Sequence, residues 1–158
     1  MPIRAVQQEQ GEPAPPEALE VVIAADADPR DADELRDAVH EYNAETTGYR
    51  DGIALACFLR DRDGRLVAGI DGFTWGGYAR VEYLWVERSM RNHGLGQRLL
   101  HAAEEEARRR GCTTIVLDTH DFQAPWLYTR LGYKLAGTTH DTPRGYRQYL
   151  YEKRLAPR

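Results

Sequence analysis

The chain has 158 residues, with 25 acidic and 21 basic side chains, a formal net charge of −4 at pH 7 and an apolar fraction of 42%. This length and composition are typical of one soluble domain with a single core. No apolar run approaches the roughly 20 residues of a membrane span, the N-terminus lacks a secretory pattern, and the basic side chains are not clustered as nucleic-acid binding requires. We therefore expect a cytoplasmic protein that binds neither a membrane nor a nucleic acid.

The N-terminal segment has three parts that differ in composition. Residues 1–17 are rich in Gln, Glu, Pro and Ala without periodicity, which predicts a disordered tail and leaves residues 18–156 as one domain. The β-branched run at residues 19–24 predicts a first strand. Asp28 and Pro29 then form a turn that can cap a helix over residues 31–45.

Charge is unevenly distributed along the chain. Residues 1–60 hold 13 acidic side chains against 5 basic ones, and the remainder is basic on balance. An acidic run of this kind is either a solvated helix face or a hint that the second substrate is a cation.

Three strands are predicted between residues 53 and 86. Residues 53–60 and 66–75 are apolar runs joined by a turn that ends at Gly64, which is a hairpin signal. A second glycine turn leads into a third strand over residues 79–86. These runs predict an antiparallel meander.

A glycine turn follows the third strand directly. Gly94 and Gly96 precede apolar residues at helical spacing, so the pattern is strand, turn and helix, the helix covering residues 94–110. The unpaired N–H groups of a first helical turn attract anions, and Arg91 and Arg98 flank this one. Leu99 stands where the dinucleotide fingerprint needs a third glycine. The pattern favours a phosphate site, and the alternative is a tight turn without a ligand.

The second half of the chain completes an α/β pattern. Residues 113–119 predict a strand parallel to its predecessor, because a helix separates the two. A short helix then starts near Pro125 and ends at Leu131, followed by strands over residues 133–138 and 146–154. The charged triplets at residues 104–106 and 108–110 are predicted to be helix surface. Cys57 and Cys112 are predicted to be buried free thiols, and no metal cluster is expected.

The motif Arg91-x-x-Gly94-x-Gly96 after a buried strand resembles the acetyl-CoA pyrophosphate loop of the GNAT superfamily of N-acetyltransferases. A second match lies at residues 127–133, where Leu127, Tyr128 and Gly132 resemble the family's segment in which a helix ends before the next strand. The resemblance implies a mixed, mostly antiparallel sheet of six to seven strands, with a splayed central parallel pair and about four flanking helices. It covers residues 19–155.

The resemblance also implies a set of cofactor-binding residues. The strand edge at Leu84, Trp85 and Val86 would pair with the pantetheine arm, and the loop amides would hold the pyrophosphate. The family often has an asparagine at the position of Asp121 to bind this arm, and Gln123 is the substitute in this chain. The predicted loop residues are Arg91, Asn92, His93, Gly94, Leu95, Gly96 and Gln97.

The resemblance assigns catalytic roles to three side chains. Tyr128 matches the family's general acid, which protonates the departing thiolate. Glu82 and Asp118 are the candidate bases acting through water, and each could instead pair with a nearby arginine. Arg80 stands where some protein-lysine acetyltransferases carry glutamate, which argues against a histone-type enzyme.

The expected function is therefore transfer of an acetyl group from acetyl-CoA to a primary amine of a small molecule, in a ternary complex without a metal. The alternative is a non-catalytic acyl-CoA sensor or interaction module with the same fold. A nucleotide-dependent oxidoreductase is a third interpretation that the missing glycine argues against. The sequence does not decide between a monomer and a homodimer.

Overall fold

The computed structural model of the chain describes residues 19–156. Residue contacts divide it into two compact units, the first ending at Glu41 and the second beginning at Tyr42. The predicted tail at residues 1–17 lies outside the described residues. The helices of the described range are α1 (Pro29–Thr47), α2 (Leu95–Arg109) and α3 (Pro125–Arg130), and the strands are β1 (Ile53–Ala54), β2 (Cys57–Arg60), β3 (Leu66–Trp75), β4 (Tyr78–Val86), β5 (Thr114–His120), β6 (Lys134–His140) and β7 (Arg147–Arg154).

The predicted first strand is wrong. Residues 19–24 form no strand, although their β-branched side chains have strand propensity. A strand requires a hydrogen-bonded neighbour, and the described residues of the first unit contain no second extended segment. The predicted cap is correct, because Asp28 accepts a hydrogen bond from the Arg30 amide at 2.9 Å at the start of α1.

The second unit contains a seven-stranded sheet with the order β1-β3-β4-β5-β7-β6, in which β2 also pairs with β3. All pairings are antiparallel except β4 with β5. The predicted mixed sheet with one parallel pair is confirmed. Among residues 19–156 no helix combines the length and the apolar character that crossing a bilayer demands.

The predicted single strand over residues 53–60 is two strands. β1 and β2 share one register with β3 as far as Leu59, and Leu55 and Ala56 between them belong to neither strand, although the Leu55 amide donates to the Gly72 carbonyl at 2.9 Å. These two residues stand opposite Asp71 and Gly72, where the pairing of β3 with β4 shifts register. The interruption in the edge strand thus faces an irregularity in its neighbour.

Helix α2 buries one face against the sheet, where it contacts β2, β3 and β4. Its glycine C-terminus is as predicted, since Gly111 has φ +81° and the next amide bonds back to Ala107 at 2.9 Å. The core residues on α2 and the central strands include Leu95, Leu99, Leu100, Ala103, Ala107, Ala68, Ile70, Ala79, Val81, Ile115 and Leu117.

The prediction that the charged triplets are only helix surface is wrong for Glu104. This side chain is 1% exposed, and both its oxygens accept hydrogen bonds from Lys153 Nζ at 2.8 Å. A buried carboxylate needs a cation from elsewhere in the fold. That cation comes from β7, at a sequence distance that helical spacing cannot reveal.

Candidate active site

A bulge shapes the middle of β4. Asp71 pairs with Tyr83 and Gly72 pairs with Val81, so Glu82 is an extra residue on β4 with no partner on β3. A Cβ atom on Gly72 would lie 1.9 Å from the carbonyl oxygen of Arg80. Only glycine permits this approach of the two backbones.

The parallel strands part just beyond this bulge. β4 pairs with β5 from Tyr78 to Val81, opposite Thr114 to Leu117, and the ladder stops there although both strands continue. We call this point the fork. It confirms the predicted splay, and it leaves residues 82–86 with an edge that no strand of the described residues 19–156 covers. An uncovered strand edge offers unpaired N–H and C=O groups.

The glycine turn lies between β4 and α2. Gly94 adopts φ +75° immediately before the helix, and the first helical hydrogen bond runs from the Arg98 amide to its carbonyl at 3.0 Å. Within residues 19–156 none of the amides from Asn92 to Gln97 donates a hydrogen bond to a protein acceptor. Unpaired amides at a helix N-terminus favour an anion.

Two arginines flank this turn. Arg91 donates from Nε to the Val86 carbonyl at 3.1 Å, so its stem ties the turn to the end of β4. Arg98 is exposed in the first turn of α2, where a cation opposes the helix dipole unless an anion is also bound. His93 is held by its Nδ1 atom, which lies 2.8 Å from the Arg91 carbonyl oxygen.

The two sequence motifs meet in space at Gly96. A Cβ atom there would lie 3.4 Å from Cδ2 of Leu127, so the start of α2 and helix α3 are in close contact. Tyr128 is the next residue on α3. The glycine therefore brings the candidate phosphate turn and the candidate acid into one region.

Tyr128 is 8% exposed and packs edge-on against Tyr133, with ring centroids 5.9 Å apart. Burial raises the pKa of its phenol, a hydrogen bond with Thr119 partly offsets the rise, and the charge of Asp118 adds to it. The phenol therefore keeps its proton at neutral pH. A protonated phenol at the end of β5 can donate to a developing thiolate.

Thr119 was not predicted as a site residue. It is buried, and its hydroxyl donates to Gln123 Oε1 at 2.8 Å. The same Gln123 oxygen accepts from the His120 amide at 2.8 Å, which leaves the Gln123 NH₂ group as a donor. Asp121 accepts from the Arg147 amide at 3.1 Å through one oxygen, while its other oxygen is buried without a partner in residues 19–156.

The two candidate bases have different surroundings. Asp118 accepts from Arg80 Nη2 at 2.5 Å and from Gln148 Nε2 at 2.8 Å, so both its oxygens are engaged. Glu82, the extra residue of the bulge, is exposed and has no hydrogen bond or ion pair with any described side chain. Taking a proton would cost Asp118 its charge pairing with Arg80, whereas Glu82 has no such pairing to lose.

The cysteines lie apart from these groups. Cys57 is half-buried and Cys112 buried, both as free thiols. Burial raises the pKa of each thiol, which keeps it protonated and a weak nucleophile. In the described range no group of three or more His, Cys, Asp or Glu side chains is placed to share a metal ion.

Comparison with known proteins decides the family. The family described as "Acetyltransferase (GNAT) family" matches residues 19–133. An acetyltransferase of Agrobacterium fabrum is 32% identical over 137 residues, which is 87% of this chain and 100% of the relative.

The chain belongs to the GNAT family of acetyltransferases.

Further similarities agree with this assignment. A blasticidin-S acetyltransferase of Streptomyces morookaense is 41% identical over 93 residues, covering 58% of this chain and 68% of the relative. The crystal structure of an acetyltransferase from Bacillus cereus superimposes with a TM-score of 0.73 at 28% identity, over 85% of this chain and 98% of that one. The predicted GNAT fold and the acetyl-CoA-dependent acetyltransferase class are confirmed.

Proposed function

We propose that this GNAT protein transfers the acetyl group of acetyl-CoA to a primary amine of a small molecule by direct attack in a ternary complex. The observation that carries the proposal is the contact between the two motifs, in which Gly96 at the open amide turn packs on Leu127 beside the buried Tyr128. A diphosphate on the turn and a thioester near the phenol would be joined by the pantetheine arm of one coenzyme molecule. The relative named for blasticidin S supports a small-molecule acceptor.

The coenzyme would lie along the fork. Amides from Asn92 to Gln97 would bind the diphosphate, with Arg91 and Arg98 close by to offset its charge. The uncovered edge of β4 at Leu84, Trp85 and Val86 would pair with the amides of the pantetheine arm, as an added strand would. The Gln123 NH₂ group would donate to the same arm.

The reaction needs two proton movements. The amine attacks the thioester carbonyl carbon, and its surplus proton passes through water to Glu82. The carbon–sulfur bond then breaks, and the CoA thiolate takes the proton of the Tyr128 phenol. With the ordinary pKa values of about 10 for a phenol and 8.5 for a thiol, this transfer is uphill by about 2 kcal/mol, and the raised pKa of the Tyr128 phenol adds to that cost. The phenol therefore donates in concert with bond cleavage, and the proton taken up by Glu82 returns to the phenolate through solvent water, which restores both groups.

Asp118 has a positioning role in this proposal. Its two hydrogen bonds link Arg80 on β4 with Gln148 on β7 across β5, immediately past the last ladder pair. It would hold the strands at the spacing that the pantetheine arm requires.

The experiment is thiol release from acetyl-CoA across a panel of primary amines, with native protein and two matched variants. Tyr128→Phe should lower kcat by about 10²- to 10³-fold, as expected for loss of a general acid. Tyr133→Phe removes a buried hydroxyl of the same ring cluster that has no hydrogen-bond partner in the described structure, so kcat should change less than about twofold.

Two results would contradict the proposal. Equal kcat values for Tyr128→Phe and the native protein would remove Tyr128 as the acid. Binding of acetyl-CoA without thiol release on any amine would favour the sensor or interaction module instead.

A further inference from the structure

The two faces of the sheet carry different chemistry at the end of β5. Thr119 is buried on the face that packs against Tyr128, and its neighbours Asp118 and His120 point to the opposite face because side chains alternate along a strand. The Asp118 contacts with Arg80 and Gln148 mark that second face. An amine that reached the fork from there would meet a bound thioester from the side away from α2.

Three aromatic rings lie at the rim of this second face. His120 and Phe122 are stacked with centroids 4.9 Å apart and planes 15° from parallel. Tyr146 meets Phe122 edge-on at 4.9 Å. We call these three rings the aromatic platform.

The platform is exposed but firmly held. Phe122 is 54% exposed and Tyr146 is 48% exposed, although rings of this size usually bury most of their area. The backbone beneath them is fixed, because the His120 amide bonds to Gln123 and the Asp121 amide donates to the Arg147 carbonyl at 3.0 Å. The rings are therefore preorganised, which lowers the entropic cost of adding a ligand.

Charge beside the platform is largely balanced. Arg80 and Asp118 form an ion pair at 2.5 Å, so this part of the face offers little net attraction to a polycation. Stacked rings that are partly exposed, as Phe122 and Tyr146 are, bind planar conjugated groups well, because such groups lose little on leaving water and match the ring quadrupole.

We propose that the aromatic platform of His120, Phe122 and Tyr146 is the acceptor subsite and selects amines carried on a planar aromatic or heteroaromatic ring. This inference rests on the proposed acetyl transfer and adds its substrate class. The ring stacks on the platform, and the amine reaches over Asp118 to the fork.

The test uses 2-phenylethylamine and 2-cyclohexylethylamine, which share their carbon count and amine but differ in the planarity of the ring. Native enzyme should prefer the aryl amine by about 3- to 10-fold in kcat/KM, the range expected for one stacking contact. Phe122→Leu should bring the ratio near one, and Phe122→Tyr should restore it. The KM for acetyl-CoA should stay the same in both variants.

Trp126→Leu is the matched control. Trp126 on α3 is 54% exposed, as Phe122 is, but it contacts Arg130 and does not belong to the platform. This variant should keep the native preference. A ratio near one in native enzyme, or an unchanged ratio in Phe122→Leu, would overturn the inference while leaving acetyl transfer intact.

Binding measurements distinguish a failure of this inference from a failure of the proposed function. Calorimetric titration of both amines into the CoA-saturated protein should show the same preference and the same loss in Phe122→Leu. If no amine is acetylated but this preference in binding persists, the result supports the aromatic platform as a binding site and contradicts the proposed acetyl transfer. If neither rate nor binding distinguishes the two amines, the platform is only a contact that fastens residues 120–123 to the start of β7.

Discussion

At the scale of single residues, the environment of Tyr128 sets a pH dependence. Burial raises the pKa of its phenol above the ordinary value of 10, so the proton-donating form persists to higher pH than it would in water. With saturating substrates, kcat should therefore show no decline up to pH 10. Steady-state rates between pH 6 and 10.5 check this, and a descending limb with a midpoint below 10 would show that another group is the acid.

Residue positions were predictable to different extents. The position of Tyr128 on a short helix was predictable because it precedes a helix-ending glycine in a local pattern. The pairing of Asp118 with Arg80 was not, because a register across three strands brings those residues together, and the hydrogen bond of Thr119 to Gln123, although only four residues apart, was not predicted either. The sequence of one β-strand does not indicate which cation pairs with which carboxylate. The non-catalytic interpretation of Asp118 was an ion pair with an arginine, and the structure contains that ion pair.

At the scale of elements, the bulge in β4 depends on one glycine. Gly72→Ala would place a methyl group 1.9 Å from the Arg80 carbonyl oxygen, a backbone atom that cannot move without the strand. We expect a loss of at least about 3 kcal/mol in unfolding free energy, at the upper end of overpacking effects. Thermal unfolding measures it, with a decrease in Tm of roughly 6–12 °C for a chain of this length.

Gly69→Ala is the control on the same strand. Its new Cβ would lie 2.9 Å from Cδ1 of Phe58, an exposed side chain that can rotate away. Its Tm should therefore fall by much less. Equal Tm values for the two variants would show that the bulge does not require a glycine.

The ion pair of Arg80 with Asp118 at the fork leads to a second prediction, which concerns stability and coenzyme binding. Arg80 and Asp118 are each about one-third exposed in their side chains, at 34% and 28%, so solvent limits the pair to about 1 kcal/mol of stability. Arg80→Gln should leave Tm within roughly 4 °C of the native value and raise the KM for acetyl-CoA several-fold by loosening the fork. An unchanged KM would contradict a positioning role for the pair.

Asp118→Asn tests the same pair from its other side. A lost positioning contact should reduce kcat by less than about 10-fold, whereas a lost general base costs about 10² to 10⁴. A decrease in the larger range would make Asp118 the base in place of Glu82.

Elements were predictable where local periodicity decides them. β3 matches its predicted bounds because residues 66–75 alternate and are flanked by glycine turns. The run at residues 19–24 has equal local strand propensity but no neighbour in its unit to pair with. The interruption between β1 and β2 reflects the irregular register of β3 with β4. Both errors arise because strands depend on partners that the local sequence does not specify.

At the scale of the whole molecule, coenzyme binding should stabilise the folded state. The described chain leaves an amide turn, two arginines and an uncovered strand edge for one extended ligand. At 100 times its dissociation constant, CoA should add about 2.7 kcal/mol, which raises Tm by roughly 5–10 °C in a protein of this size.

A matched pair of arginine variants locates this effect at the turn. Arg98→Gln should reduce the rise in Tm that CoA produces, because Arg98 stands in the first turn of α2, while Arg62→Gln in the exposed turn between β2 and β3 should not. Added salt should weaken the arginine contribution by screening. A nicotinamide dinucleotide shares the adenosine diphosphate portion but lacks the pantetheine arm, so it should stabilise less. An equal or larger rise with the dinucleotide would mean that the fork contributes nothing to coenzyme binding, and the edge of β4 would then need another partner.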